Sequence, residues 1–317
     1  MIDVTALGEL LIDFTMVSVD GEGYPTMAAH PGGAPANFLA ALAKYGKKTA
    51  LLGKVGTDTF GRLLGGTLQS AGIETRGMVA ADDVFTTLAF VTLDASGDRE
   101  FSFSRKPGAD TCIRFEELDL SLIDEARAFH FGTLSLTDEP ARSTTQQAVA
   151  YAKAHGKLVT YDPNLRKPLW KNLDEAKEQM LWGLRQADVV KISDEEVEFL
   201  VGLNAQDGAK HILKEFGVKL VFVTCGADGC FFMNARSSGH VPGLRGIQTV
   251  DTTGAGDIFG GSAVCRLLET GKAPETLEEA ELREIVSFAC TAAGLSTTRH
   301  GGIQSVPELG DVIRSMR

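Results

Sequence analysis

The stretch 250–261 reads VDTTGAGDIFGG. Gly254, Ala255 and Gly256 are small residues that open a helical run. In it Ile258, Gly261, Cys265 and Leu268 recur on one face, and Gly271 stops the run at about residue 270. Backbone N–H groups at a helix start lack partners within the helix and carry the positive end of its dipole. With such small side chains around them they make an anion site. Asp257 sits in the first turn, among the same N–H groups. As an ordinary helix-start acid it is worth a few tenths to about one kcal/mol of local stability. Beside an anion cradle it has a second use: the cradle holds a phosphoryl group while the carboxylate takes the proton of an attacking alcohol.

Further polar residues stand where strand-like runs end. Gly8-Glu9 closes the first run and the chain continues to Asp13, whose carboxylate can accept hydrogen bonds from two hydroxyls or simply be a solvated loop acid. Gly32 and Gly33 precede Ala34-Pro35, a helix start with proline in its first turn. Glycines permit close approach of backbone to a ligand, and Asn37, just inside that helix, reads a hydroxyl or serves as a capping amide. Arg105, in FSFSRKPGAD, is a clamp for substrate or phosphate, or a solvated arginine.

The elements that must position these residues alternate between two periodicities. Apolar runs at Ile2–Leu7, 49–53, 128–131, 158–161, 189–192 and Leu220–Thr224 have the near-continuous character of strands covered on both faces. Amphipathic segments at 57–70, 140–155, 174–186 and 209–216 lie between them, with Gly72, Gly156 and Gly217 as helix stops. The pattern predicts an α/β fold with a doubly wound, mostly parallel sheet flanked by helices. Two stretches break the rhythm. Residues 13–30 are polar and glycine-containing, and 86–104 reads as two alternating strands around a turn at 94–98. A lone hairpin is marginal in water. We therefore expect 1–317 to be a single domain with a small β-sheet lid, formed by about 13–30 and 86–105, over a cleft.

Glycine is high at 35 residues, with the excess around the two glycine-rich segments, and the net charge is −11 from 31 Lys plus Arg against 42 Asp plus Glu. An acidic chain lacks the basic face that nucleic-acid binding requires. Five cysteines, an odd number without CxxC, read as free thiols in a reducing compartment. No basic leader or apolar run of membrane-spanning length is present, so a cytoplasmic protein is expected. The six histidines show no zinc-protease spacing. No Gly-Lys pair is followed by Ser or Thr, which excludes a P-loop. A dinucleotide fingerprint would follow the first strand rather than lie near the C-terminus, which argues against an oxidoreductase.

The string DTTGAGD resembles the second signature of the PfkB (ribokinase-like) carbohydrate kinase family, and GGAPANFLAALAKYGKKTALLGKVGTDTFG resembles its first. DPNLRKPLW and GELLIDF are similar to the fructokinase branch. The resemblance covers essentially the whole chain. It implies an ATP-dependent sugar kinase, with fructose converted to fructose 6-phosphate as first expectation and 2-keto-3-deoxygluconate or ribose as alternatives; a non-catalytic sugar-binding regulator is the alternative of a different class. It further implies Asp257 as general base, with Gly254, Ala255, Gly256 and Arg166 acting on the transferred phosphoryl group. Asp13, Gly32, Gly33, Asn37 and Arg105 fall to the sugar. Asn164, Lys191, Ser193, Glu196, Thr224, Gly226 and Gly229 fall to ATP and Mg²⁺. Ser193 departs from the usual Asn of that motif and reads equally as the start of a capping box. Backbone near Asp251, Thr253, Ser296, Arg299 and Gly301, with Ser305, is implied as a K⁺ site. Apart from the resemblance, the exposed apolar face of the lid either closes over the sugar or pairs with another copy in a homodimer.

The resulting prediction is that Asp257→Asn lowers turnover by at least about two orders of magnitude while the protein remains folded. Steady-state kinetics on the purified variant check it; near-normal turnover removes the base assignment.

Overall fold

The computed structural model describes residues 1–93 and 99–316, so the turn expected at 94–98 lies outside the described residues. In chain order the strands are β1 (Ile2–Leu7), β2 (Leu11–Val19), β3 (Pro25–Gly32), β4 (Thr49–Gly56), β5 (Ile73–Glu74), β6 (Met78–Ala81), β7 (Leu88–Leu93), β8 (Arg99–Ser104), β9 (Ala126–Gly132), β10 (Leu158–Asp162), β11 (Val189–Ser193), β12 (Leu220–Thr224), β13 (Cys230–Asn234) and β14 (Ser238–Val241). The helices are α1 (Ala34–Lys44), α2 (Thr59–Ser70), α3 (Ser121–Glu125), α4 (Ala141–Ala154), α5 (Leu173–Gln186), α6 (Asp194–Val201), α7 (Ala205–Phe216), α8 (Ala255–Thr270), α9 (Glu279–Ser296) and α10 (Leu309–Ser315).

Successive side chains of a strand point to opposite faces, so a strand buried on both sides is apolar throughout. This accounts for the main sheet, ordered β14-β13-β12-β11-β10-β9-β1-β4-β5 with β6 also on β4. From β12 to β4 every pairing is parallel, and β13 and β14 add an antiparallel edge. Phe129, Phe131, Val190, Ile192, Val221 and Val223 point to one face and pack with α4, α5, α6 and α7. Ala128 points to the other, where α1, α2, α8 and α9 lie, and Val189, Leu220 and Phe222 meet α8 and α9 there. The doubly wound expectation therefore holds.

Boundaries moved where side chains cap helix ends. The helix expected over 57–70 begins at Thr59, because the Asp58 carboxylate accepts the N–H groups of Phe60 and Gly61 at 2.8 and 2.9 Å. The one expected over 209–216 begins at Ala205, with the Asn204 side chain accepting from Asp207 N–H. Residues 13–30, read as a polar break, form most of the antiparallel pair β2–β3. They carry apolar residues among the polar ones: Phe14 stacks on Phe90 of β7 at 5.3 Å and meets Phe60 of α2 edge-on at 5.5 Å. These strands join β7 and β8 in a separate four-stranded sheet, order β3-β2-β7-β8, in which β2 and β7 run parallel. At its root Arg105 is buried, paired with Asp110 at 2.7 Å and donating to Thr137 Oγ1 at 2.7 Å and Leu134 O at 2.9 Å.

One packing contact sets the geometry of the site. Helices α1 and α8 lie against each other, and a Cβ on Gly261 would stand 2.2 Å from Phe38 O and 2.9 Å from Ala41 Cβ. Only hydrogen at Gly261 lets the two backbones approach this closely. We expect Gly261→Ala to destabilise the fold by about 1–3 kcal/mol, the range for overpacking a filled core, as read by urea unfolding. A stability unchanged from the parent protein would show the contact to be slack.

Candidate active site

The site lies beyond the carboxyl ends of β1, β10, β11 and β12, where ligands bind in open α/β sheets. Gly254 caps α8 in the left-handed conformation (φ 74°). A Cβ there would stand 2.9 Å from Gly302 Cα and 3.1 Å from Asn37 Nδ2. Ala255 N–H donates to Thr252 O at 3.3 Å. The N–H groups of Gly254, Gly256 and Asp257 donate to no atom of the described residues, so the free donors of the cradle are these three. Asp257 is only 9% exposed, and its Oδ2 accepts from Asn37 Nδ2 at 2.9 Å. Burial raises its pKa above the ordinary aspartate value. Lys191, the Asn37 amide and Arg166 oppose that rise, and Glu196 adds to it.

Beneath the cradle Lys191 projects from β11. Its Nζ lies 3.0 and 3.3 Å from the two oxygens of Asp162, at the end of β10, and 2.8 Å from where a Cβ on Gly256 would be. Burial holds Asp162 up at about 6 despite Lys191. The ammonium thus stays charged under the helix start, where positive potential adds to that of the amides.

Asp13, on β2, faces the same space. Its carboxylate is raised to about 7 by burial, with Arg166 opposing and Asp257 and Asp251 contributing. Gly32 is a necessity here, because a Cβ would stand 2.5 Å from Asp13 Oδ2. Gly33 caps α1 with φ 124°, and a Cβ on it would strike Glu9 O at 2.4 Å. The Glu9 carboxylate, also raised to about 7 by burial, accepts Ala34 N–H at 2.8 Å and so holds the start of α1. Arg105 is engaged by Asp110, Thr137 and Leu134, and any contact to a sugar would come in addition to these.

After β10 the chain turns sharply: Asn164 has φ 46°, left-handed without being glycine. Leu165 N–H then donates to Glu196 Oε1 at 2.7 Å, while Glu196 Oε2 accepts Ser193 N–H at 2.9 Å and Ser193 Oγ accepts Glu196 N–H at 3.2 Å. This is a capping box at the start of α6. Each Glu196 oxygen keeps a further lone pair, and hard oxygen donors of this kind suit a divalent cation. Arg166, half-buried, donates to Leu165 O at 3.3 Å. Thr224 Oγ1 donates to Ile192 O at 3.4 Å and leads into a tight turn, where Gly226 (φ 53°) and Gly229 (φ 101°) reverse the chain into β13.

Asp251 joins two loops. Its Oδ1 accepts from Thr253 N–H and Oγ1 at 2.9 and 2.7 Å, and its Oδ2 accepts Gly301 N–H at 3.0 Å. Ser296 O accepts Arg299 N–H at 3.2 Å, and Ser305 Oγ donates to Gly302 O at 2.9 Å. The carbonyls of Thr253, Arg299 and Gly301 accept no hydrogen bond from the described residues.

Sequence reasoning overlooked Glu9, Asp162 and Gly302. The first two are acids adjoining apolar strands, and burial at that position was the available signal. Gly302 is recognisable only through its contact: a Cβ would lie 2.1 Å from Asn37 Oδ1. A groove of about 680 Å³ between α1 and α2, beside Lys44, Arg62 and Gln304, contains none of these residues.

Residues 1–309 match the pfkB family carbohydrate kinase description. The chain is 40% identical over 317 residues to a fructokinase-2 of Solanum lycopersicum, covering 99% of this chain and 96% of that one. It is 41% identical over 315 residues to a fructokinase-1 of Zea mays, covering 98% and 96%. Among solved structures it is similar to a fructokinase with bound ATP from Xylella fastidiosa (TM-score 0.90, 30% identity, 99% and 98% covered). A fructokinase from Vibrio cholerae in fructose-, ADP- and calcium-bound form is also similar (TM-score 0.87, 29% identity, 100% and 99% covered).

The Lys191–Asp162 pair makes a checkable demand. Lys191→Met leaves Asp162 buried without its counter-charge and should cost about 3–5 kcal/mol at pH 8. Asp162 is already raised to about 6 and rises further without Lys191, so below about pH 6 the buried carboxyl is protonated in both proteins and the extra cost of the variant builds up only as pH rises above that value. The loss should therefore shrink between pH 8 and pH 5, as read by urea unfolding; an equal loss at both would mean that the pair carries no such charge.

Proposed function

The chain belongs to the pfkB family of carbohydrate kinases, and from that premise we propose that it transfers the γ-phosphate of ATP to fructose, giving fructose 6-phosphate. The observation that carries this reading is the buried Asp257 carboxylate in the first turn of α8, beside free N–H groups and above the Lys191 ammonium. The names of the relatives at about 40% identity over nearly the whole chain support fructose as acceptor.

In this reading the sugar lies against Gly32 and Gly33, with Asp13 accepting two of its hydroxyls. Asp257 takes the proton of the attacking hydroxyl. The amides of Gly254, Gly256 and Asp257 hold the phosphoryl oxygens as charge develops on them, with Lys191 behind them. Arg166 forms a planar fork toward the phosphates. Asn164, Ser193, Thr224, Gly226 and Gly229 shape the nucleotide side. Glu196 orients the divalent cation that accompanies ATP, for which we propose Mg²⁺; when bound, it neutralises phosphate charge. The Thr253, Arg299 and Gly301 carbonyls are free to hold K⁺ near the start of α8, with Asp251, Ser296 and Ser305 keeping the loops in place. The four-stranded sheet serves as a lid that excludes water, since water would compete as acceptor. Exposed Val17, Val19 and Tyr24 on that sheet are its surface for a homodimer. No helix among the described residues is long and apolar enough to cross a membrane. We place the protein in the cytoplasm, in keeping with its free cysteines.

A coupled ATP-consumption assay across fructose, ribose, 2-keto-3-deoxygluconate and nucleosides tests the assignment, with the highest kcat/KM expected on fructose. Activity on ribose but not fructose overturns the choice of sugar. Asp13→Asn should raise the KM for fructose at least about tenfold, since a group built to bind hydroxyls is lost.

A further inference from the structure

Asn37 belongs to the helix that follows the Gly32-Gly33 turn, yet its best-defined contact is with the reacting carboxylate. Nδ2 donates to Asp257 Oδ2 at 2.9 Å in a buried setting. Only the amino end of an amide can donate to a carboxylate, so the orientation of the side chain is chemically determined. The amide plane is also confined: a Cβ on Gly254 would stand 3.1 Å from Nδ2, and one on Gly302 would stand 2.1 Å from Oδ1. Oδ1 is buried and has no hydrogen-bond partner. Such an atom is costly unless something donates to it.

We propose that Asn37 is the positioning residue of the base: it ties Oδ2 of Asp257, turns Oδ1 of that carboxylate toward the attacking hydroxyl, and offers its own Oδ1 to a neighbouring hydroxyl of the same sugar. One rigid amide thereby couples acceptor binding to the alignment of the base. A sugar that fills Asn37 Oδ1 locks the amide whose other end aims Asp257. The inference rests on Asp257 acting as base in the proposed reaction.

Other groups act on the same carboxylate. Lys191 of β11 and Arg166 after β10 favour its charge, whereas Glu196 of α6 disfavours it. Asp162 of β10 and Asp13 of β2 face it as further acids. None of these is altered by changing Asn37, so a shift in the titration of the base in Asn37→Ala is attributable to loss of the amide, whereas Asn37→Asp also brings a charge of its own.

Asn37→Asp and Asn37→Ala separate positioning from sugar contact. The aspartate keeps the volume and an acceptor for the sugar but sets a second carboxylate against Asp257. The alanine removes both contacts. Measurements of kcat use saturating fructose, so that Asp13 does not enter the profile. Positioning predicts that Asn37→Asp lowers kcat at least about tenfold and moves the acid limb of kcat upward by about one pH unit or more, while KM changes little. Asn37→Ala should lower kcat, move the limb upward by less, and raise KM. Each variant's affinity for a non-hydrolysable ATP analogue should match the parent protein's, showing an intact fold; if Asn37→Ala fails to fold, Asn37→Ser, which removes the amide without adding charge, takes its place. An Asn37→Asp variant with parental kcat and acid limb overturns the proposal and leaves Asn37 as a sugar contact only. Normal turnover in Asp257→Asn would instead overturn the reading on which the inference rests. Should the parent protein prefer another sugar, the same series run with that sugar still decides the role of Asn37.

Discussion

A carboxylate that is to accept a proton near neutral pH must be withdrawn from water far enough to become basic, yet must remain charged. In the proposed reaction Asp257 is that carboxylate: burial raises its pKa above the ordinary aspartate value, and its neighbours oppose the rise. Burial alone would neutralise it. The Lys191 ammonium, the Asn37 amide and Arg166 oppose that tendency. The remaining features of the site follow from this balance. Lys191 can stay charged beneath a helix start only because Asp162 pairs with it, and Asp162 can stay buried only because Lys191 is there. Removing one partner exposes the other to the full cost of burial.

The balance depends on backbones that approach closely. Gly261 lets α8 lie on α1, which brings Asn37 within hydrogen-bond distance of Asp257. Gly254 and Gly302 leave room for the amide between two loops, and Asp251 holds those loops together through Thr253 and Gly301. On the sugar side Gly32 makes room for Asp13, and Glu9 secures the start of α1. Several glycines thus stand where a methyl group would force apart two elements of the candidate site, while many others lie in open turns. The parallel strands deliver the polar ends to one edge, since each of β10, β11 and β12 finishes there and hands over Asp162, Ser193 and Thr224.

The doubly wound sheet was legible because strands covered on both faces must be apolar throughout, and Val189–Ser193 and Leu220–Thr224 have that character. The helix start at 254–257 was legible because small residues there precede a run with one apolar face. The four-stranded sheet was only half legible. The 86–104 hairpin shows regular alternation, whereas β2 and β3 mix apolar and polar residues less regularly and are recognisable by what they pair with. Asn37 was read as facing a hydroxyl, and its hydrogen bond to Asp257 has no local signature. The two residues come from opposite ends of the chain. Arg105 gave an equally incomplete picture: its type and place near a hairpin suggested a clamp on substrate or a solvated guanidinium, but Asp110, Thr137 and Leu134 enclose it.

The order of residues by itself determined the periodicity, hence the layered fold, and the glycine-bounded helix start that carries Asp257, because both are properties of a few neighbouring positions. Tertiary structure decided which charges compensate one another and which side of each polar group faces the cleft. Those outcomes depend on distances between segments far apart in the chain and on the loss of water between them, and neither is written in any local stretch of sequence.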